Sequence, residues 1–251
     1  MISFINIASG SKGNATLIYN DDTLILLDMG VPKYLLLDAL SKINRDYSDI
    51  QGVLITHEHS DHVKTLNLLH DDFPVYSGAN VVIALNHIDV FPEEAINIGS
   101  MLIYPIQASH DAEFPLGYVF YSESEKLVYL TDTGVVLESV LPYIHNADYF
   151  VFESNHDVEM LETSGRPKVL IERIKGKKGH LSNRDSALAL SMLVGPATKA
   201  IYLAHLSEEC NTPELALDTY KNVFEEKHIG FDFENIHVLS QRRMSFGGDM
   251  K

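Results

Sequence analysis

Three histidines and an aspartate fall within six positions in Thr56-His57-Glu58-His59-Ser60-Asp61-His62, directly after the apolar run Val53-Leu54-Ile55. Burying that much imidazole and carboxylate costs several kcal/mol unless each group is paired or binds a metal. His57 and His59 alternate along an extended backbone and can point the same way. Asp61 and His62 follow as the chain turns into a helix-like stretch at 63–70, so they can face a second point nearby. Two ligand pairs offset in this way suit two metal ions a few Å apart. A polar, histidine-rich surface loop is the competing reading, and HxHxDH after a strand is far more specific than a lone histidine pair.

Three further residues, His110, Asp132 and His205, sit where polar side chains follow apolar runs. Each alone is more simply a hydrogen-bonded histidine or aspartate. With the first motif they make seven potential ligands, all imidazole or carboxylate and none a thiolate. That donor set accepts zinc, manganese or iron.

Charge marks a second region. The chain carries a formal net charge of −16, yet residues 166–184 hold seven basic side chains (Arg166, Lys168, Arg173, Lys175, Lys177, Lys178, Arg184) against one acid, Glu172. A solvated face is the plain reading; a phosphate-binding strip, with Lys177 and Lys178 in it, is the functional one. The segment runs into Gly179-His180-Leu181-Ser182-Asn183, which opens a helical pattern. Ser182 or Asn183 can cap that helix, and its first N–H groups can face a phosphate. Near the start of the chain, Ser9-Gly10-Ser11-Lys12-Gly13-Asn14 is a turn of small side chains with open backbone N–H groups. It can approach an oxyanion, with Ser11 and Asn14 as contacts, although such turns often only join strands.

The elements that must position these residues follow from apolar patterning. Strands are expected at 2–8, 15–20, 23–28, 53–55, 75–76, 101–107, 118–121, 126–131, 149–153, 200–204 and 236–239. Helices are expected at 34–43, 79–86, 157–163, 167–174, 183–193 and 213–227, the last with Pro213 in its first turn. His70 and His87 fall at expected helix ends and receive no role, and the tail 247–251 reads as loose. Runs of strands with helices inserted in each half indicate an α/β fold. No repeat, low-complexity tract or linker divides the chain, so residues 1–251 read as a single domain.

Composition sets limits. An apolar share of 45% over 251 residues supports a sizeable core. Cys210 is the one cysteine, which excludes a disulfide within the chain and fits a reducing, cytoplasmic compartment. The start lacks a signal-peptide pattern, and no stretch approaches a membrane span. The negative charge opposes indiscriminate binding to nucleic acid or anionic membranes.

His57-x-His59-x-Asp61-His62 resembles the signature of the metallo-β-lactamase superfamily. The resemblance implies an α/β metallo-β-lactamase αββα sandwich, two mixed sheets packed face to face with helices outside. It implies that His57, His59 and His110 hold one metal, that Asp61, His62 and His205 hold a second, and that Asp132 bridges them. Asp61 would also relay a proton, and Asp28 would buttress the metal-binding loop. An aspartate at 132, where β-lactam-degrading members often carry cysteine, sides with the phosphodiesterase, glyoxalase and lactonase branches. Glu153-Ser154-Asn155-His156 followed by Gly179-His180-Leu181-Ser182 is similar in layout to the tRNA-processing RNase Z enzymes, whose loop histidine reaches the scissile phosphate. His180 is the matching catalytic candidate, with Asn155, Ser182 and Asn183 as substrate contacts.

A fuller resemblance is to the YycJ/WalJ (VicX) family of bacterial exonucleases. It adds Ser9-Gly10-Ser11-x-Gly13-Asn14, Ser109-His110-Asp111-Ala112, Glu153-Ser154-Asn155-His156-Asp157 and Leu206-Ser207-Glu208-Glu209-x-Asn211-Thr212-Pro213-Glu214, and covers nearly the whole chain. It implies a binuclear metal-dependent phosphodiesterase, a 5′-to-3′ DNA exonuclease using metal-activated water. Two divalent metal ions, zinc or manganese with iron also accepted, would be its cofactors. Nucleic acid, DNA ahead of RNA, would be bound weakly and without sequence specificity; no membrane is implied, no β-CASP insertion is present, and a homodimer is left open. The alternatives are a metal-dependent hydrolase of a small molecule (cyclic phosphodiester, thioester or lactone), which the acidic balance favours, or a ribonuclease. From another class comes a non-catalytic scaffold, which the intact ligand set opposes.

Overall fold

The computed structural model describes residues 1–69, 72–79, 81 and 86–249. Its strands are β1 (Ser3–Ala8), β2 (Ala15–Tyr19), β3 (Leu24–Leu27), β4 (Gly52–Leu54), β5 (Val75–Ser77), β6 (His87–Asp89), β7 (Ile96–Ile98), β8 (Met101–Gln107), β9 (Leu116–Ser122), β10 (Glu125–Leu130), β11 (Tyr149–Glu153), β12 (Ala200–Ala204), β13 (Ile236–Val238) and β14 (Ser245–Gly248). Its helices are α1 (Lys33–Lys42), α2 (Ser60–Val63), α3 (Leu141–Ile144), α4 (Val158–Thr163), α5 (Lys168–Lys175), α6 (Asn183–Leu193) and α7 (Pro213–Glu226). Among the described residues the strands make two seven-stranded mixed sheets. The chain divides into two compact units, one of Met1–Ile106, Ala112–Lys126 and Ser240–Lys251, the other of Gln107–Asp111 and Leu127–Leu239.

The first unit contains one whole sheet, ordered β14-β1-β2-β3-β4-β5-β6. β14 to β3 run antiparallel and β3 to β6 parallel. Leu36, Ala39 and Leu40 of α1, spaced i, i+3, i+4, pack on one face with Ile5, Leu17, Leu26 and Val53. Each large side chain fully buried there contributes about 1.5–3 kcal/mol. The register sets Leu27 of β3 beside both Thr16 of β2 and Leu54 of β4. Residues 14, 28 and 56 therefore leave the sheet at one end.

In the second unit β10-β11-β12-β13 are parallel neighbours. All residues of β11 and β12 are buried, which is why both read as unbroken apolar runs rather than alternating ones. Leu130 pairs with Phe152, and Glu153 with Ala204. Asp132, Glu153 and His205 thus emerge at the same, carboxyl ends of three adjacent strands, the usual place for a site in parallel sheets.

The structure corrects several local expectations. The helix-like stretch at 63–70 is broken: α2 ends at Val63, and a 3-10 turn covers Leu66–Leu69. The N–H and hydroxyl of Thr65 both bond the Met29 carbonyl, which draws the chain out of the helical path. His87 opens strand β6 and contacts the Ser77 hydroxyl at 2.8 Å instead of ending a helix. The helix expected at 79–86 falls largely outside the described residues, as does His70. The tail is tied down, since β14 pairs with β1 and the Asp249 N–H donates to the Ile2 carbonyl. Two glycines in Ser-Phe-Gly-Gly hide that strand from pattern reading. Among the described residues no helix is long and apolar enough to cross a membrane.

Candidate metal centre

In the first unit the metal motif is built where β4 ends. His57 and His62 are buried, and His59 stands beside them, with ring centroids of His57–His59 at 4.6 Å and His57–His62 at 4.1 Å. The His57/His59 pair comes from extended chain; Asp61 and His62 come from the single turn of α2. Backbone bonds hold that turn: Asn14 N–H donates to the Asp61 carbonyl at 2.7 Å, Met29 N–H to the His62 carbonyl at 2.7 Å, and Gly30 N–H to the Asn14 carbonyl at 2.9 Å. A Cβ on Gly30 would overlap the Asp61 carbonyl, so only glycine permits this approach.

Asp28 is buried beneath the motif. Its carboxylate accepts from the Thr56 N–H at 2.8 Å and lies 2.8 Å from His62 Nδ1. Asn14 is buried too, its amide reaching Gly10, Asp61 Oδ2 at 3.3 Å and His62 Nε2 at 2.9 Å. The Ser9-to-Asn14 turn has therefore used the N–H groups of Gly10, Gly13 and Asn14, contrary to the expectation of an open nest. Ser11 stays exposed at its tip.

In the second unit Asp132, Glu153, His180 and His205 offer ligand atoms within 4.8 Å of one another. Glu153 is the residue that reading the sequence missed as a functional side chain. Its fully buried carboxylate accepts from the Thr133 N–H at 2.9 Å and the Leu181 N–H at 3.2 Å through Oε2. Its Oε1 meets His180 Nδ1 at 2.7 Å and His205 Nδ1 at 3.0 Å. Four partners use the lone-pair directions a carboxylate has, so Glu153 orients the imidazoles rather than ligating a metal. Burial alone would raise its pKa, but the charge of His180 and hydrogen bonds from His180 and His205 outweigh burial and hold it at about 2. Its signs in the sequence were its place at the end of an apolar strand and at the head of the Glu153-Ser154-Asn155-His156 motif, neither of which gave its side chain a role.

His205 Nε2 then faces Asp132 Oδ1 at 3.4 Å. His110, also buried, lies with Nδ1 3.1 Å from the Gly179 carbonyl. Burial lowers its pKa below the usual value, favouring the neutral ring that a metal requires. Asp28, Asp132 and His205 all have positive φ, 58°, 54° and 56°. The left-handed conformation costs about 1–2 kcal/mol per non-glycine residue, and it turns each side chain back over its strand end.

The loop 176–181 carrying His180 is pinned from inside. Ser109 Oγ donates to the Lys177 carbonyl at 2.8 Å, and His180 N–H to the Ile174 carbonyl at 2.8 Å. Its carbonyls turn inward, while the side chains of Lys177 and Lys178 are exposed. The wider basic strip is less open than its composition indicates. Arg166 pairs with Glu209, Arg173 with Asp111, Lys175 with Glu162 and Arg184 with Glu226. Lys168, Lys177 and Lys178 form no ion pair among the described residues. Ser182 caps α6, its hydroxyl accepting from the Asp185 N–H, while Asn183 N–H donates to the His156 carbonyl. The N–H groups of Asn183 and Asp185 at the helix start are thereby bonded within the protein. The Asn183 side chain bonds Ser154 and Asn211, and Asn155 Nδ2 donates to the His205 carbonyl. Cys210 is a buried free thiol.

Buried imidazoles and carboxylates with no thiolate, two of the rings held at Nδ1 by carboxylates, fit divalent zinc, manganese or iron. Fold and donor set define a metal-dependent hydrolase. The profile described as the beta-lactamase superfamily domain matches residues 25–205. The exodeoxyribonuclease YycJ of Bacillus anthracis is 37% identical over 241 residues, covering 91% of each chain. The exodeoxyribonuclease WalJ of Streptococcus pneumoniae serotype 2 is 34% identical over 238 residues, 89% of this chain and 88% of its own. Among solved structures, the metallo-β-lactamase fold protein YhfI from Bacillus subtilis superimposes with a TM-score of 0.73 at 15% identity, covering 98% of this chain and 99% of its own. The chain belongs to the metallo-β-lactamase superfamily and, within it, to the YycJ/WalJ family. The α/β metallo-β-lactamase fold expected from the motif is the fold it adopts.

Proposed function

We propose that the protein is a binuclear metal-dependent phosphodiesterase that degrades DNA from the 5′ end as a single cytoplasmic metallo-β-lactamase-fold domain. The observation that carries the reading is His180. Its ring is held at Nδ1 by an ionised, buried carboxylate, is partly exposed, and lies 3.9 Å from Asp132 Oδ1. The names of the relatives at 37% and 34% identity support a DNA substrate.

In this proposal His57, His59 and His110 would hold one divalent ion and Asp61, His62 and His205 the other, with Asp132 available to either. When bound, such ions would supply an activated water near neutral pH and positive charge toward the phosphorus. With Nδ1 committed to Glu153, His180 has Nε2 for a phosphate oxygen or for giving a proton to the leaving alkoxide. Asp61, whose Oδ2 is met by the Asn14 amide, relays a proton. Lys177 and Lys178 meet backbone phosphates. Asn14, Asn155, Ser182 and Asn183 reach substrate only by giving up internal bonds, so they shape the loops that carry Ser11, Lys177 and His180.

A second reading, hydrolysis of a small cyclic phosphodiester, thioester or lactone, is favoured by the four ion pairs that neutralise most of the basic strip. The deciding experiment follows degradation of 5′-phosphorylated single- and double-stranded DNA, labelled separately at each end, with Mn²⁺ or Zn²⁺. Asp132→Ala and His180→Ala are run beside it. Mononucleotides released from the 5′ end, lost in both variants while His180→Ala keeps its metal, support the exonuclease. A protein that holds two ions and cleaves neither DNA rejects it.

A further inference from the structure

We propose that Thr56 is a positioning residue whose single hydroxyl sets the ring tautomers of His57 and His62, so that both present Nε2 to metal. The inference rests on the two-metal reading above. Thr56 Oγ1 lies 2.9 and 3.1 Å from the Asp28 carboxylate oxygens, 3.1 Å from His57 Nδ1 and 3.0 Å from His62 Nδ1. A hydroxyl has one proton and two lone pairs. The Asp28 carboxylate oxygens accept from both the Thr56 N–H and its hydroxyl, so the hydroxyl proton goes to Asp28 and the lone pairs face the two Nδ1 atoms. Both Nδ1 atoms therefore carry hydrogen, and both Nε2 atoms carry a lone pair.

The other end of His62 gives the same assignment independently. Gly10 N–H donates to Asn14 Oδ1 at 2.7 Å, and Asn14 Nδ2 donates to the Gly10 carbonyl at 3.1 Å. These two bonds fix the amide orientation, so the atom 2.9 Å from His62 Nε2 is a donor. An N–H facing Nε2 requires a lone pair there, the one a metal would take when the Asn14 amide gives way.

The two imidazoles are not equally dependent on Thr56. His62 Nδ1 also has Asp28 Oδ2 at 2.8 Å, an acceptor that survives loss of the hydroxyl. His57 Nδ1 meets the same hydroxyl at 3.1 Å. One hydroxyl thus links ligands assigned to different ions, with unequal consequences when it is removed.

The test compares Thr56→Val, which keeps shape, with Thr56→Ser, which keeps the hydroxyl. Long-range nitrogen–proton correlation spectra of the metal-free protein report each ring tautomer, and zinc titration reports each affinity. Wild type should show Nδ1–H on both rings. In Thr56→Val, His57 should shift toward Nε2–H while His62 stays, and one ion should bind roughly tenfold or more weakly while the other is unchanged. Thr56→Ser should restore both readouts. Thr56→Ala gives the same comparison should valine fail to fold. Unchanged His57 tautomer, or equal loss at both ions, overturns the proposal. A wild type that binds fewer than two ions overturns the two-metal reading instead, and the metal-free spectra still decide for or against Thr56.

Discussion

The Glu153 carboxylate, with no exposed surface, lies 2.7 Å from His180 Nδ1. The contact joins the end of β11 to a loop 27 residues later and places a permanent negative charge behind the proposed acid. Glu153→Gln keeps the shape and removes the charge. It should lower kcat on DNA about 10- to 100-fold, with metal content, measured by atomic absorption, falling less because His205 remains. With a folded pKa of about 2 against 4.5, the carboxylate's contribution to stability is complete above pH 4.5 and lost as pH falls toward 2.

His156 behaves in the opposite chemical sense. Burial holds its ring neutral, with a pKa of about 4 instead of 6.5. Below pH 6.5 the unfolded chain takes up a proton that the folded protein refuses, so stability present above 6.5 declines as pH falls to about 4. By pH ~5 this amounts to about 2 kcal/mol. Urea unfolding of wild type and His156→Gln at pH ~7.5 and ~5 should show the smaller pH dependence in the variant.

Gly134 is where the His180 loop meets the strand end bearing Asp132. A Cβ there would overlap the Gly176 carbonyl and sit 2.5 Å from the Lys177 carbonyl. Gly134→Ala should cost about 1–3 kcal/mol of stability and move the loop. A displacement of roughly 1 Å at His180 would reduce kcat about 100-fold with little change in KM. Thermal unfolding and steady-state kinetics on the purified variant check both.

Lys177 and Lys178 should carry most of the salt dependence of DNA binding. Replacing each by Gln should lower the slope of log K against log salt by about 0.9. Lys175→Gln should change it much less, because Lys175 is already paired with Glu162 at 2.5 Å. Affinity measured across a salt series distinguishes the three.

The metal motif was legible because its chemistry is local: His57, His59, Asp61 and His62 lie within six positions, and their types alone define a hard-donor cluster. The long apolar strands were legible as unbroken buried runs, and α6 and α7 because each buries a periodic face. What the tertiary structure decided involves partners far apart in sequence. Glu153 looks like the polar end of a strand until Thr133, His180, Leu181 and His205 converge on it. The basic strip looks open until Arg173 meets Asp111, 62 positions away. β14 exists because the edge of β1 offers unpaired backbone groups to a segment with no strand pattern of its own. Residue types set what chemistry is available over a few neighbouring positions, whereas a buried charge or a sheet edge is resolved only by the groups that folding brings to it.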